Sequence, residues 1–201
     1  SVAGELEQLG GLIRTRPFRS PHHSCSSAAL LGGGSCPRPG ELALAHRGVL
    51  FLDELGEFRR DVLNQLRQPL EQGTLRLSRA KQQLHYPCCI SLVAATNPCP
   101  CGWYGDPEHD CSCTTSERQR YWGRLSGPLL DRIDLQVVMQ RVPAEVLRQG
   151  YSACCERTPP ESTACASQRI QQARLRMKQR NPAGRSNHRL SARDLRETGA
   201  F

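Results

Sequence analysis

An α/β fold with a parallel sheet and flanking helices is the architecture that the sequence predicts. Two nearly continuous apolar runs, Val49–Leu52 and Ile90–Ala95, have the length of buried strands. Residues at the spacing of one helix face lie between the two runs: Phe58, Val62, Leu63, Leu66 and Leu70. Because buried strands separated by helices pack as a parallel sheet covered on both faces, we expect a layered α/β domain.

Further elements follow along the chain. Residues 74–87 predict a β-hairpin, since Leu75 and Leu77 alternate with polar residues before a polar turn. Pro69 is expected to kink the preceding helix or loosen its last turn. The later predictions are a helix at 115–127, a third apolar strand within 129–142, a linker at 157–167, a basic helix at 166–180 and the start of a helix at 191–197.

The composition places a globular core before a basic segment. The 201 residues are 38% hydrophobic and 23% charged, which favours a packed domain over disorder. Residues 141–201 carry 12 Lys+Arg against 5 Asp+Glu, and so +7 of the net charge of +8. That excess either attracts a polyanion such as DNA or forms a solvated helical face. We therefore divide the chain into a core at 1–143 and a linker with a basic helical segment at 144–201.

Neither a membrane span nor a secretory signal is indicated. The longest apolar runs have the length of a strand, far below the roughly 18 residues of a spanning helix. The first residues lack the basic and apolar regions of a secretory signal. We expect a cytoplasmic protein without a membrane partner.

Polar side chains end both predicted strands. Asp53 and Glu54 follow the first strand, and Asn97 follows the second. At the carboxyl ends of parallel strands, carboxylates can hold Mg²⁺ and orient an attacking water, and an amide can bind phosphate. The alternatives are an acidic helix N-terminus for the two carboxylates and ordinary turn chemistry for Asn97-Pro98.

Four cysteines form two short arms. Cys99, Cys101, Cys111 and Cys113 follow the pattern CxC, nine residues, CxC. Four such thiolates can close a tetrahedral, structural Zn²⁺ site; the alternatives are idle thiols or His109 as a substitute ligand. Other cysteines are most simply small apolar residues: Cys88, Cys89, Cys154, Cys155 and Cys165. For His22 and His23 we expect loop packing more than contact with metal or phosphate.

Several segments resemble the magnesium-chelatase-like AAA+ ATPases of the ComM/YifB type. They are "RPFRSPHHS", "GGGSCPRPGELALAHRGVLFLDEL", "FRRDVLNQLRQPLEQG", "SRA", "NPCPCGWYGD" and "RLSGPLLDRIDL". The resemblance implies a partial P-loop NTPase core with a helix-2 insertion at 30–46 and a hairpin insertion near 74–87. It also implies ATP and Mg²⁺ as ligands, a homo-oligomeric ring, a hexamer, and a DNA-remodelling helicase that drives branch migration.

The same resemblance assigns roles to the polar residues. Asp53 and Glu54 are then the Walker B pair, Asn97 is sensor 1, and Arg132 is the arginine finger that reaches a neighbouring subunit's nucleotide. For Arg132 the plain alternative is an ion pair with Asp131 or Asp134.

One motif of a P-loop NTPase is absent from the sequence. No segment reads GxxxxGK followed by Ser or Thr, the loop whose backbone and Lys hold phosphates. In the family that loop precedes the first residues of this chain, and the sensor-2 lid lies beyond Phe201, so we expect this polypeptide alone to hydrolyse no ATP. Two other functions stay open: the ATPase subunit of magnesium chelatase, and a non-enzymatic, zinc-containing nucleic-acid-binding module.

Overall fold

The computed structural model describes residues 15–33, 38–79, 82–125, 127–139, 141–142, 161–187 and 190–199. They belong to two compact units, residues 1–140 and 141–201, which we describe separately. The predicted domain boundary at residue 143 lies outside the described residues.

The first unit combines short strands with short helices. Its elements in chain order are β1 (Phe18–Arg19), α1 (Ser27–Leu31), β2 (Gly32–Gly33), β3 (Arg38–Pro39), α2 (Glu41–Leu44), β4 (Val49–Leu52), a 3-10 turn (Leu55–Glu57), α3 (Arg60–Gln72), β5 (Thr74–Arg79), β6 (Gln82–Pro87), β7 (Ser91–Ala94), α4 (Thr115–Trp122) and α5 (Gly127–Leu130). The predicted insertion at 30–46 contains the antiparallel pair β2–β3.

The central sheet is parallel, as predicted. Strand β4 lies between β1 and β7 and pairs with both in parallel. Leu52 is opposite Ala94, so β4 and β7 end at the same level. This register places whatever follows the two strands at one edge of the sheet.

One face of this sheet carries the described core. Leu50 and Leu52 of β4 are fully buried, and they share a face because side chains alternate along a strand. The core residues that α1, α2 and α3 contribute are Leu30, Leu31, Leu42, Val62, Leu63 and Leu66. The expectation of strands covered on both faces is wrong for the described residues, since Phe18 is 64% exposed and Val93 48% exposed.

Helix α3 and the hairpin β5–β6 follow the prediction closely. Pro69 does not end α3, which continues to Gln72 and stops at Gly73, whose positive φ of 63° favours glycine. The Gly73 N–H donates to the Pro69 carbonyl at 2.8 Å. The hairpin pairs Thr74 with Pro87 and Arg79 with Gln82, which confirms the predicted insertion near 74–87.

The predicted third apolar strand is not formed in the described residues. Residues 135–139 lie in neither a helix nor a strand, and Leu135 is 83% exposed and Val138 92% exposed. An extended apolar segment becomes a strand only where a neighbour satisfies its N–H and C=O groups. The described part of the sheet supplies no such neighbour to this segment.

The described residues of the second unit form two helices and a 3-10 turn. Helix α6 (Thr163–Arg180) begins at the N-cap Ser162, the turn is Pro182–Gly184, and α7 is Ala192–Glu197. Both helices were predicted, although α6 begins inside the expected linker at 157–167. Within the described residues, no helix has the length and apolarity needed to cross a membrane.

A buried asparagine organises the turn between α6 and α7. Asn181 is 3% exposed, and its Nδ2 donates to the Arg185 carbonyl at 2.7 Å and to Asn187 Oδ1 at 3.0 Å. The backbone N–H of Ser191, which caps α7, lowers the pKa of Asp194, as do the nearby Arg185 and Arg193. Helix α6 itself has no buried residue in the described chain.

Candidate nucleotide site and cysteine loop

The two acidic residues lie directly beyond the end of β4. Asp53 and Glu54 are both exposed, and Asp53 Oδ1 accepts the Glu54 N–H at 2.9 Å. Glu54 has left-handed backbone angles, φ 51° and ψ 47°, which cost a non-glycine residue roughly 1 kcal/mol or more. Helix α3 begins only at Arg60, so these carboxylates are not in its first turn, but Glu54 is the N-cap of the 3-10 turn Leu55–Glu57.

Hydrogen bonds hold the ends of β4 and β7 together. The Ala95 N–H donates to the Leu52 carbonyl at 3.0 Å, and the Leu55 N–H donates to the Ala95 carbonyl at 2.8 Å. The residues on either side of the acidic pair, Leu52 and Leu55, therefore both bond to Ala95, the residue directly after β7. Asn97 follows two residues after Ala95 and is exposed. The structure thus brings the carboxylates and the amide to one edge of the sheet.

A histidine that sequence reasoning did not assign to this edge contacts Glu54. His23 Nδ1 lies 2.8 Å from Glu54 Oε2, and its ring contacts that of His22 in a tilted arrangement, with centroids 4.0 Å apart. His23 follows β1, which is the other parallel neighbour of β4. The sequence could have revealed this contact, because segments that follow adjacent parallel strands lie at the same edge of a sheet.

Helix α4 supports both loops of this edge. Tyr121 is buried, and its hydroxyl lies 3.0 Å from Thr96 Oγ1. Trp122 Nε1 donates to the Pro98 carbonyl at 3.0 Å. A Cβ at Gly56, just beyond Glu54, would lie 2.4 Å from the Tyr121 hydroxyl, so glycine permits this close approach. Tyr121 therefore packs between the loop after β4 and the loop after β7.

Replacing Gly56 with Ala is expected to destabilise the first unit. The added methyl group would displace the Tyr121 ring, and overpacking of this kind costs roughly 1–3 kcal/mol. Gly127→Ala is the control, because a Cβ there meets nothing within 4 Å. Urea unfolding of both variants measures the difference, and equal midpoints for the two would contradict the packing argument.

The structure places Arg132 away from the acidic edge. Its Nε donates to Glu71 Oε1 at 2.8 Å and its NH2 lies 2.7 Å from the same oxygen, so the ion pair that was the alternative to the finger role forms with Glu71 in place of Asp131 or Asp134. Glu71 is the penultimate residue of α3, a helix of 13 residues that spans about 20 Å.

The position of Glu71 in the fold follows from the residues next to it. The Gly73 carbonyl, directly after α3, accepts the Cys88 N–H at 2.9 Å. Cys88 lies three residues before the start of β7 at Ser91. The end of α3 therefore lies by the beginning of the strands, opposite to the edge with Asp53. In the described structure, Arg132 is not brought together with the acidic pair and Asn97.

The four cysteines of the loop at 99–113 converge. Their Sγ atoms all lie within 4.8 Å of one another. The distances are 3.3 Å for Cys99–Cys101, 3.7 Å for Cys99–Cys111 and 3.6 Å for Cys101–Cys111. A hydrogen bond from the Trp103 backbone lowers the pKa of Cys101 to about 5, while burial raises the pKa of Cys113 to about 12.

Other candidate residues near the loop have different roles. His109 Nδ1 lies 3.2 Å from Asp106 Oδ1, and its ring stacks on Trp103 at 4.2 Å, so it packs outside the sulfur cluster. Cys88 is buried, which raises its pKa to about 11 and agrees with an apolar role. Cys165 is exposed. Cys154 and Cys155 lie outside the described residues.

The parallel sheet with its flanking helices agrees with the predicted class of protein, a partial AAA+ P-loop NTPase core. Residues 1–147 match the family described as "Magnesium chelatase, subunit ChlI". The chain belongs to this magnesium-chelatase family, and it is similar to the ComM and YifB members.

Three relatives illustrate that placement. The uncharacterized protein YifB of Escherichia coli is 48% identical over 81% of the chain and 31% of its own length. An uncharacterized protein of Mycobacterium tuberculosis is 48% identical over 98% of the chain and 38% of its own length. The competence protein ComM of Haemophilus influenzae is 42% identical over 90% of the chain and 34% of its own length. The chain thus spans about a third of the length of the curated relatives it matches.

Proposed function

We propose that the chain is the Walker B and sensor part of an ATP-hydrolysing AAA+ motor subunit. The observation that carries this proposal is the level, parallel pairing of β4 with β7, since Asp53 and Glu54 follow the carboxyl end of one strand and Asn97 follows that of the other. This edge is where open α/β sheets bind their ligands. Loss of Mg²⁺-dependent ATP turnover in a Glu54→Gln variant of the full-length protein tests it.

The donor set suits Mg²⁺ bound to phosphate. Mg²⁺ prefers oxygen ligands and commonly binds one or two carboxylates together with waters and phosphate oxygens. Asp53 fits this role, since its Oδ1 is fixed by the Glu54 N–H and its second oxygen can face a hydrated cation. When bound, the ion would neutralise charge on the phosphates.

Glu54 is the residue we assign to the attacking water. It follows the residue assigned to the cation and is exposed, and its carbonyl accepts the Glu57 N–H at 2.8 Å in the 3-10 turn Leu55–Glu57. A positioned carboxylate can orient water and accept its proton. His23 contacts this carboxylate and so restrains where it points. Asn97, with an amide that both donates and accepts, is suited to a phosphate oxygen and the same water.

Arg132 is assigned to the active site of a neighbouring subunit. It is exposed at the opposite end of α3 from Asp53, which is compatible with action on another chain and not on its own. AAA+ ATPases typically form oligomeric rings, and we propose a homo-hexamer here. Arginine supplied from a neighbour stabilises the negative charge of the transition state.

DNA is the proposed substrate of the motor, in a helicase that drives branch migration. The support is the resemblance to ComM-type proteins together with α6, a helix without buried residues in the described chain that carries five exposed basic residues: Arg169, Arg174, Arg176, Lys178 and Arg180. A row of exposed cations binds phosphates without regard to base sequence. A cytoplasmic location agrees with this role and is part of the same proposal.

Replacing Arg174 and Lys178 with Gln is expected to weaken DNA binding. The two side chains are four residues apart on one face of α6, so they can contact the same backbone. Loss of two phosphate contacts should reduce the slope of log affinity against log salt by about 1.8. The control removes two charges from α7, as Arg193→Gln with Arg196→Gln. Equal weakening by both pairs, in a filter-binding or anisotropy titration, would contradict a contact through α6.

Two other functions stay open: the ATPase subunit of magnesium chelatase and a nucleic-acid-binding module without catalysis. The family description names the first, and the cysteine cluster with the basic helix is compatible with the second. ATP turnover stimulated by DNA supports the motor. Turnover indifferent to DNA supports the chelatase subunit, and DNA binding by a full-length protein without turnover supports the module.

A further inference from the structure

We propose that the loop at 99–113 holds a single structural Zn²⁺ ion through Cys99, Cys101, Cys111 and Cys113. The proposal stands on the sulfur geometry of this loop and does not depend on ATP hydrolysis. Neither the family description nor the relatives' names mention a metal of this kind.

The sulfur distances fit one ion. With Zn–S bonds of about 2.3 Å, the edges of a tetrahedron of sulfurs are about 3.8 Å long. The three short distances here, 3.3, 3.6 and 3.7 Å, are close to that edge, and Cys113 lies within 4.8 Å of the other three. A disulfide would need about 2.05 Å. An iron–sulfur cluster would need its cysteine sulfurs farther apart, since iron and sulfide ions lie between them.

The chemistry of the ligand set selects a structural zinc. Four thiolates in a tetrahedron suit Zn²⁺, and four protein ligands leave no position open for catalysis. A tetrathiolate zinc site carries two negative charges. Arg118 lies where it offsets that charge: its NH1 donates to the Cys113 carbonyl at 2.6 Å and is 4.0 Å from Cys111 Sγ.

Apart from the sulfur cluster, the loop is ordered by turns and by local side-chain contacts such as His109 with Asp106 and Trp103. It contains neither a helix nor a strand between β7 and α4, and Trp103 and Tyr104 are exposed. Gly102 and Gly105 both have φ of 84°, which gives the tight turns that bring the two arms together. Loops of this length without secondary structure are uncommon in compact domains unless something orders them. A bound ion supplies that ordering.

The site connects the loop to the candidate nucleotide edge. Cys99 is two residues beyond Asn97, and Cys113 immediately precedes Thr114, the N-cap of α4. The Thr114 N–H donates to Glu117 at 2.7 Å and lowers the pKa of that carboxyl. Since Tyr121 and Trp122 of α4 contact Thr96 and Pro98, the ion would close a ring of contacts around the Asn97 loop.

Metal content of the full-length protein, purified from zinc-supplemented cells, tests the proposal. We expect about one zinc per chain by mass spectrometry of the metal, and Co²⁺ exchanged for it should show the thiolate charge-transfer and d–d bands of a tetrahedral S₄ site. Cys111→Ser with Cys113→Ser should remove at least nine-tenths of the zinc. Cys165→Ser, an exposed cysteine in α6 of the second unit, should leave the content unchanged.

A second measurement holds even if the double variant fails to fold. In the wild type, the four loop cysteines should resist alkylation until a strong chelator is added, whereas Cys165 should react at once. Absence of metal, iron in place of zinc, two disulfides in the loop, or alkylation that ignores the chelator would each overturn the proposal. None of these outcomes depends on ATP turnover, so failure here is distinct from failure of the proposed ATPase.

Discussion

Glu54→Gln in the full-length protein is expected to lower ATP turnover by roughly 10²–10⁴-fold, the contribution typical of a positioned general base. Gln keeps the size of the side chain and removes its ability to accept a proton. Binding of Mg²⁺ and ATP should persist, because Asp53, not Glu54, is assigned to the cation. Steady-state phosphate release and a nucleotide-binding titration measure the two effects separately.

The matched control for this variant is Glu57→Gln. Glu57 is on the same loop, and its carboxylate lies 3.4 Å from Arg124 NH1. Its loss should leave turnover close to the wild-type value, since exposed ion pairs contribute little to stability. Full turnover in Glu54→Gln, or equal losses in both variants, would refute the assignment of Glu54 and with it the proposed motor.

Arg132→Ala is expected to have an effect at least as large. A finger arginine is worth about 10³–10⁵ in the rate of phosphoryl transfer, because it stabilises the charge of the transition state. The observed ion pair offers the control: Glu71→Gln removes the partner but keeps the guanidinium. We expect Glu71→Gln to retain turnover. Equal losses in both variants would show that Arg132 acts only through its ion pair.

Mixing two inactive variants distinguishes action on a neighbour from action within one chain. A ring assembled from Glu54→Gln and Arg132→Ala subunits contains some sites with both groups intact, provided the arginine comes from the adjacent subunit. Mixed rings should therefore regain part of the turnover that each variant lacks alone. No recovery in rings shown to contain both variants would contradict the placement of Arg132 on a neighbour's site.

The parts of the site that local pattern defines could be predicted from the sequence. Asp53 and Asn97 follow apolar strands, and the parallel arrangement of those strands brings them to one edge. The CxC arms likewise converge as their spacing suggested. In each of these cases the residue pattern of a short segment is enough to predict its local structure.

The errors share a different origin, which is tertiary context. Residues 135–139 have the composition of a strand, but a strand needs a partner, and the described sheet gives these residues none. The contact between His23 and Glu54 joins residues 31 positions apart, and the ion pair of Arg132 with Glu71 joins residues 61 positions apart. Which of several nearby charges pairs with a surface arginine depends on helix packing, and spacing along the chain does not reveal it.

The level pairing of Leu52 with Ala94 restricts how the lengths of β4 and β7 can change. Deleting one residue from β7 would draw the Asn97 amide back by about 3.3 Å, the rise per residue of a strand. The same deletion would exchange the two faces of β7 beyond the cut, because side chains alternate with a period of two. If Asn97 binds phosphate as we propose, the number of residues in these two strands is restricted by the reach of its side chain, whereas the hairpin turn and the basic segment carry no such restriction.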